Sequence, residues 1–259
     1  MHTIAIVNQK GGVGKTTTAV TLAHGLAIAG AGVLLVDLDA QGNVADALGL
    51  EKCGGLYQLL FGNGTAARAV QSSGRPGLDV VLADKSVVEV KNRLAGMDFR
   101  EYVLQDALKG FSHEVCVLDV APGVDILQVS ALMACDTFVV PVALDHLAVV
   151  GASDALASWA ALQERSRGAA GRFVGVLPTM WERTTKESQE QLQAVVQLFG
   201  DQTLPPVPLD VKAREAPAHG ESLWEYASGC RALRGVEIGG KRRGGYMQVL
   251  ARVARELRG

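Results

Sequence analysis

Within eight residues, Lys10-Gly11-Gly12-Val13-Gly14-Lys15-Thr16-Thr17, the chain gathers three glycines, two lysines and two adjacent hydroxyls. Those types at that spacing suit a polyphosphate. Glycines allow positive φ and turn successive N–H groups toward an anion. Lys15 is placed to reach the β- and γ-phosphates, and the Thr16 hydroxyl to ligate a magnesium ion. Acids of the kind that phosphoryl transfer needs lie further on. Asp37 and Asp39 stand in Asp37-Leu38-Asp39-Ala40-Gln41-Gly42-Asn43, and Asp119 closes the apolar run Val115-Cys116-Val117-Leu118. A carboxylate after such a run, at this distance beyond a phosphate loop, can hold magnesium through water.

These groups must be positioned by strands and helices. Ile4–Val7 reads as a strand and Thr17–Ala29 as a helix, so the glycine loop lies between strand and helix, with the helix dipole behind it. Val33–Asp37, Leu78–Leu82, Glu114–Asp119, Thr137–Val142 and Phe173–Leu177 read as further strands. Helices are expected over Ser86–Leu94, Phe99–Leu108, Val149–Arg165 and Lys186–Phe199, with short ones over Leu56–Phe61 and Thr65–Val70. Alternating strands and helices, with apolar runs in the strands, predict an α/β fold. It is a doubly wound, mostly parallel sheet flanked by helices, in a single domain over residues 1–259. In such a sheet the loops at the carboxyl ends of the strands form the ligand crevice, which would bring Asp37 and Asp39 to the phosphates.

The net charge of −2 argues against general polyanion binding, but the charge is uneven. Asp210–Gly259 carries ten Lys/Arg against six Asp/Glu, which points to a local anionic partner. The cysteines at 53, 116, 135 and 230 have no C-x-x-C spacing and read as reduced thiols. No leader segment or membrane span is read, so a cytoplasmic protein is expected.

Position 9 is Gln where the ordinary phosphate loop has Gly, and Lys10 follows it. This two-lysine loop resembles the deviant Walker A signature of the ParA/MinD ATPases. The stretch Val211-Lys212-Ala213-Arg214-Glu215-Ala216-Pro217-Ala218-His219-Gly220, with Leu223-Trp224-Glu225-Tyr226, resembles the chromosome-partitioning ParA subgroup, Soj-like proteins included. The resemblance runs from Ile4 to about Glu256. It implies ATP and Mg2+ as cofactors, with the nucleotide held by Gly11, Gly12, Val13, Gly14, Lys15, Thr16 and Thr17. It implies that Lys10 crosses an ATP-bound homodimer, that Asp39 orients the attacking water, and that Thr16, Asp39 and Asp119 surround the metal. Val120-Ala121-Pro122-Gly123 would be the second switch, with one proline where relatives more often have two. Thr179, Met180, Pro208 and Asp210 would frame the adenine.

By the same resemblance Arg183, Lys212 and Arg214 would contact non-specific double-stranded DNA, in a nucleoid-associated state, and a ParB-like partner would stimulate hydrolysis. Lys212 replaces an arginine common in relatives and loses bidentate phosphate geometry. Arg231, Arg234, Lys241, Arg242 and Arg243 would extend the patch, although Arg231–Arg243 is longer and richer in glycine than in typical relatives. Asp145 is the nearest acid after the Thr137–Val142 strand, where many relatives have Glu, and receives no role. No N-terminal helix-turn-helix is read, so operator-specific binding is not expected. The alternative readings are a MinD-like membrane switch, a cargo-positioning ATPase and a nucleotide-binding scaffold. In the last helix Tyr246, Val249, Leu250, Val253 and Leu257 form one stripe, with Arg252, Arg255 and Arg258 off it. Without Phe or Trp on that stripe, core packing is favoured over membrane anchoring. An iron–sulfur reductase lacks its cysteine pair.

Overall fold

A computed structural model of the chain describes residues 1–62, 66–166 and 168–257. Seven strands among them form one sheet: β1 (His2–Ile6), β2 (Val33–Asp37), β3 (Gln71–Arg75), β4 (Leu78–Val81), β5 (Val115–Asp119), β6 (Thr137–Ala143) and β7 (Arg172–Thr179). Their spatial order is β3-β4-β2-β5-β1-β6-β7. All pairings are parallel except the edge pair β3–β4. The expected doubly wound parallel sheet is therefore present. The helices are α1 (Lys15–Ile28), α2 (Asn43–Leu48), α3 (Gly55–Phe61), α4 (Val87–Ala95), α5 (Val103–Leu108), α6 (Ile126–Ala134), α7 (Ala148–Arg165), α8 (Lys186–Phe199), α9 (Lys212–Glu215), α10 (Leu223–Tyr226), α11 (Arg231–Arg234) and α12 (Tyr246–Glu256).

The central strands are apolar throughout because both faces are covered. Their alternation divides the core in two. Ala5, Val7, Leu34 and Val36 face one layer with Leu118 and Phe138. Ile4, Ile6, Val33 and Leu35 face the other with Leu22, Leu26 and Val249. Helix α1 is buried on nearly all sides, between the sheet and α10 and α12. Gly25 makes that possible: a Cβ there would stand 2.9 Å from Trp224 and 3.0 Å from Leu250.

Several local expectations shift. Residues 100–102 form a 3-10 turn ahead of α5, not the first turn of one long helix. The short helix expected from Thr65 begins outside the described residues, and only Ala66–Ala69 are seen as a 3-10 turn. Strand β3 escapes a hydrophobic reading because Gln71-Ser72-Ser73-Gly74-Arg75 has no apolar residue, and edge pairing alone defines it. The Arg231–Arg243 stretch resolves into α11 and a small hairpin, β8 (Val236–Ile238) with β9 (Lys241–Arg243). The stripe of α12 is spent on the core: Tyr246, Val249 and Val253 are buried. Each buried side chain of this size contributes about 1.5–3 kcal/mol, which extraction into a bilayer would forfeit. Arg258 lies outside the described residues. No helix among them is long and apolar enough to cross a membrane.

Candidate nucleotide and metal site

The loop sits where strand order reverses, at the carboxyl end of β1, between β5 and β6. Gly12 (φ 75°) and Gly14 (φ 84°) take left-handed backbone, which lets the chain curl and enter α1. Val13 is buried beneath the loop, and its carbonyl accepts a 2.9 Å hydrogen bond from the Thr179 hydroxyl. That hydroxyl is also within 3.0 Å of the Val142 carbonyl. Thr179 is thus a prop under the loop. Lys15 is buried, and its Nζ donates to the Lys10 carbonyl at 2.7 Å. Burial lowers its pKa, and the nearby Asp119 and Asp39 oppose that.

The acids converge as the sheet demands. In the register Asp37 is level with Asp119, and Asp119 with Ile6. Asp37 accepts the N–H groups of Asp39 (2.9 Å) and Val44 (3.3 Å), so its carboxyl is spent on shaping the loop after β2. Burial, then Asp119, pushes its carboxyl well above the usual range. Asp119 is buried with no hydrogen-bond partner on either oxygen. Burial raises its pKa to about 7, against the Thr16 hydroxyl and Lys15. An orphaned carboxylate is costly unless a cation completes it. Its neighbourhood therefore fits magnesium, which prefers a carboxylate or two plus hydroxyl, water and phosphate oxygens to an all-protein cage. No His/Cys/Asp/Glu cluster among the described residues offers such a cage. Asp39 is partly exposed and accepts from Gln41 N–H at 3.0 Å.

Met180, Pro208 and Asp210 line one cavity of about 80 Å³ with Gly14, Thr17 and Tyr246. Thr179 borders it as well, so the four adenine candidates share one place beside the loop. Met180 holds φ 56°, a conformation uncommon outside glycine. The Asp210 side chain is committed elsewhere: it accepts from the N–H groups of Lys212 (3.1 Å), Arg231 (2.7 Å) and Ala232 (3.3 Å). A larger cavity, about 290 Å³, opens between Thr16–Thr17 and Asn43, Ala47 and Leu223.

Three contributors escape sequence reasoning. Asn8 is buried, accepts the Lys10 N–H at 2.9 Å and donates to the Pro141 carbonyl at 2.7 Å, tying the loop to β6. Gln9, which occupies the usual glycine position, donates to Ser158 at 2.7 Å and so staples the loop to α7. Lys10 Nζ is held by Asp145 at 2.6 Å. Only the position of Asp145 after a strand hinted at a role. Leu147 donates its N–H to the same Asp145 at 2.9 Å, and Val124, Leu147 and Val150 are 64, 41 and 52 % exposed. Val124 follows Gly123, whose N–H donates to the Gln9 carbonyl at 3.0 Å.

The three DNA candidates separate. Arg183 is exposed on the loop after β7, in a groove with Arg231. Arg214 borders the Met180 cavity. Lys212 is paired with Glu215 at 2.8 Å and stands over the Tyr226 ring at 5.4 Å, so it is already neutralised within the chain.

A family model described as an AAA domain matches residues 1–169. The chromosome partitioning protein ParA of Caulobacter vibrioides is 34 % identical over 241 residues, 89 % of each chain. The sporulation initiation inhibitor protein Soj of Bacillus subtilis is 34 % identical over 243 residues, covering 91 % of this chain and 94 % of its own. Among solved structures, one described as cobyrinic acid a,c-diamide synthase from Mycobacterium smegmatis with bound ADP and magnesium superposes with a TM-score of 0.74. It is 28 % identical and covers 85 % of this chain and 91 % of that one.

Proposed function

The chain belongs to the ParA/Soj family of chromosome-partitioning ATPases, and from that premise we propose that it hydrolyses ATP to gate its own binding to DNA. The observation that carries the reading is the two-lysine loop set against Asp119, a buried carboxylate with both oxygens unpaired. The ADP and magnesium of the Mycobacterium smegmatis structure support the same ligands here; its named reaction is not carried over.

Residues 1–259 act as one ATPase domain. Gly11 to Thr17 cradle the phosphates, Lys15 exchanges its bond to the Lys10 carbonyl for a phosphate oxygen, and the Met180–Pro208 cavity takes the adenine. Thr16, Asp39 and Asp119 would hold magnesium, which supplies charge neutralisation for the departing phosphate. Asp39, tethered at the end of β2 but partly exposed, orients the attacking water. Lys10 leaves Asp145 and enters the site of a second subunit across the apolar rim of Val124, Leu147 and Val150. The paired subunits bind DNA without sequence preference through Arg183 and neighbouring cations. Hydrolysis, stimulated by a ParB-like partner, ends that state.

The test is ATP turnover with and without Mg2+, with sedimentation to read association. Wild type is expected to turn over only with Mg2+ and to dimerise with ATP. Asp39→Ala is expected to dimerise yet lose at least about 10²-fold in turnover. Turnover that survives Asp39→Ala, or ATP binding without association, would contradict the proposal.

A further inference from the structure

The hairpin β8–β9 and its approach through α11 carry Arg231, Arg234, Lys241, Arg242 and Arg243 against one acid, Glu237. Lys241, Arg242 and Arg243 are all exposed. Among the described residues none of these five cations, nor Arg183, pairs with a carboxylate. Lys212, by contrast, is paired with Glu215.

The backbone beneath these cations is fixed. Gln248 of α12 donates to the Arg242 carbonyl at 2.9 Å and accepts the Gly244 N–H at 3.0 Å. At the base Gly244 packs on Pro206 and Gly245 on Gly235 so closely that no Cβ fits. Val236 and Ile238 pack on the core. At the tip Gly239 and Gly240 turn with φ of 58° and 72° and meet nothing. A clamped ribbon thus presents three consecutive exposed cations, Lys241 and Arg243 on the face of Ile238 and Val236, and Arg242 opposite Glu237. Val236 and Glu237 also line the groove of about 490 Å³ that holds Arg183 and Arg231.

We propose that this hairpin is a phosphate-binding wing that extends the DNA surface from Arg183 across Arg231 to Lys241–Arg243. The inference rests on the DNA-binding reading above. The register sets Lys241 opposite Ile238 and Arg243 opposite Val236, so these two cations share one face, about 6.7 Å apart, and Arg242 lies opposite Glu237 on the other. An ammonium and two guanidiniums suit phosphate oxygens, contacts that position a protein without selecting sequence. An anionic membrane is a poorer match, because the tip is Gly239-Gly240 and the apolar side chains of the hairpin face the body.

The test compares wild type, Lys241→Ala/Arg242→Ala/Arg243→Ala, and a control of equal charge change, Lys85→Ala/Arg93→Ala/Lys109→Ala, on and beside α4 and α5. Each is mixed with ATP and a random duplex across 50–200 mM salt, and with phosphatidylglycerol vesicles. Each phosphate contact contributes about 0.9 to the slope of log K against log salt. The hairpin variant is expected to lose about 1.8 of slope per wing, for the two cations that share a face, and at least about tenfold in affinity, with ATP-dependent association intact and the control unchanged. A hairpin variant that binds DNA with the wild-type slope overturns the wing and leaves the DNA reading standing. Wild type that binds no DNA in any nucleotide state overturns that reading and the wing with it. Vesicle binding lost in the hairpin variant alone assigns the wing to lipid and refutes it as a DNA contact. A variant that no longer associates with ATP is replaced by Arg243→Ala alone, judged by a slope loss of about 0.9.

Discussion

Asp119 shows how one side chain can be costly to the folded chain and necessary to the site. It is fully buried, unpaired and pushed up to about 7. Replacing it with Asn removes a buried carboxyl whose ionised form the Thr16 hydroxyl and Lys15 offset only in part. The metal-free Asp119→Asn protein is therefore expected to melt a few degrees higher, at about 2–4 °C per kcal/mol for a chain of this size. The same variant should lose the gain in nucleotide affinity that Mg2+ gives wild type. A lower melting point with Mg2+-dependent binding intact would show that Asp119 is structural. Asp145 makes the complementary case. Its bond to Lys10 is a third to two-fifths exposed, and such pairs contribute about 0–1 kcal/mol. Asp145→Asn frees Lys10 for a partner subunit, so ATP-dependent dimerisation is expected at about two- to fivefold lower protein concentration. Weaker association in sedimentation would mean that Asp145 serves the dimer instead.

Among the elements, α1 carries the most. It presents Lys15 and Thr16 at one end and is wedged against Trp224 and Leu250 at Gly25. Gly25→Val overfills that contact, and a loss of roughly 3–10 °C in melting temperature is expected. An unchanged melting point would show that α10 and α12 yield. The same seam holds His24, whose Nδ1 is 2.6 Å from Ser222 Oγ, with Glu225 and Arg75 beyond. Burial lowers its pKa, and the Glu225 carboxylate only partly offsets that. With the folded pKa below the unfolded value of about 6.5, the unfolded chain binds more protons between the two. Stability is then complete above about pH 6.5 and falls as pH drops through that window. His24→Gln should flatten that part of a pH–melting profile.

Legibility followed the same division. Strands with four or five consecutive apolar residues, such as Val33–Asp37 and Val115–Asp119, are readable because burial on both faces leaves no other composition. Strand β3 and the hairpin are not, because backbone pairing and glycine turns define them. The loop residues were legible from spacing, whereas Asn8 and Gln9 act through partners over 130 positions away in the chain.

For the whole molecule, the sheet order brings the loop with Lys10, Asp37 and Asp119 to the carboxyl ends of neighbouring strands, while Arg183 and Arg231 share a groove beside the end of β7 with Val236 and Glu237 of the hairpin. The account requires that the nucleotide controls the second surface through the first. That is tested most directly by binding to a random duplex without nucleotide, with ADP and with ATP, for wild type, Asp39→Ala and Arg183→Glu. The account predicts binding with ATP alone, persistence in Asp39→Ala after wild type has released, and loss in Arg183→Glu with ATP-dependent dimerisation retained. Equal binding in all three nucleotide states, or none while ATP still dimerises the protein, would contradict it.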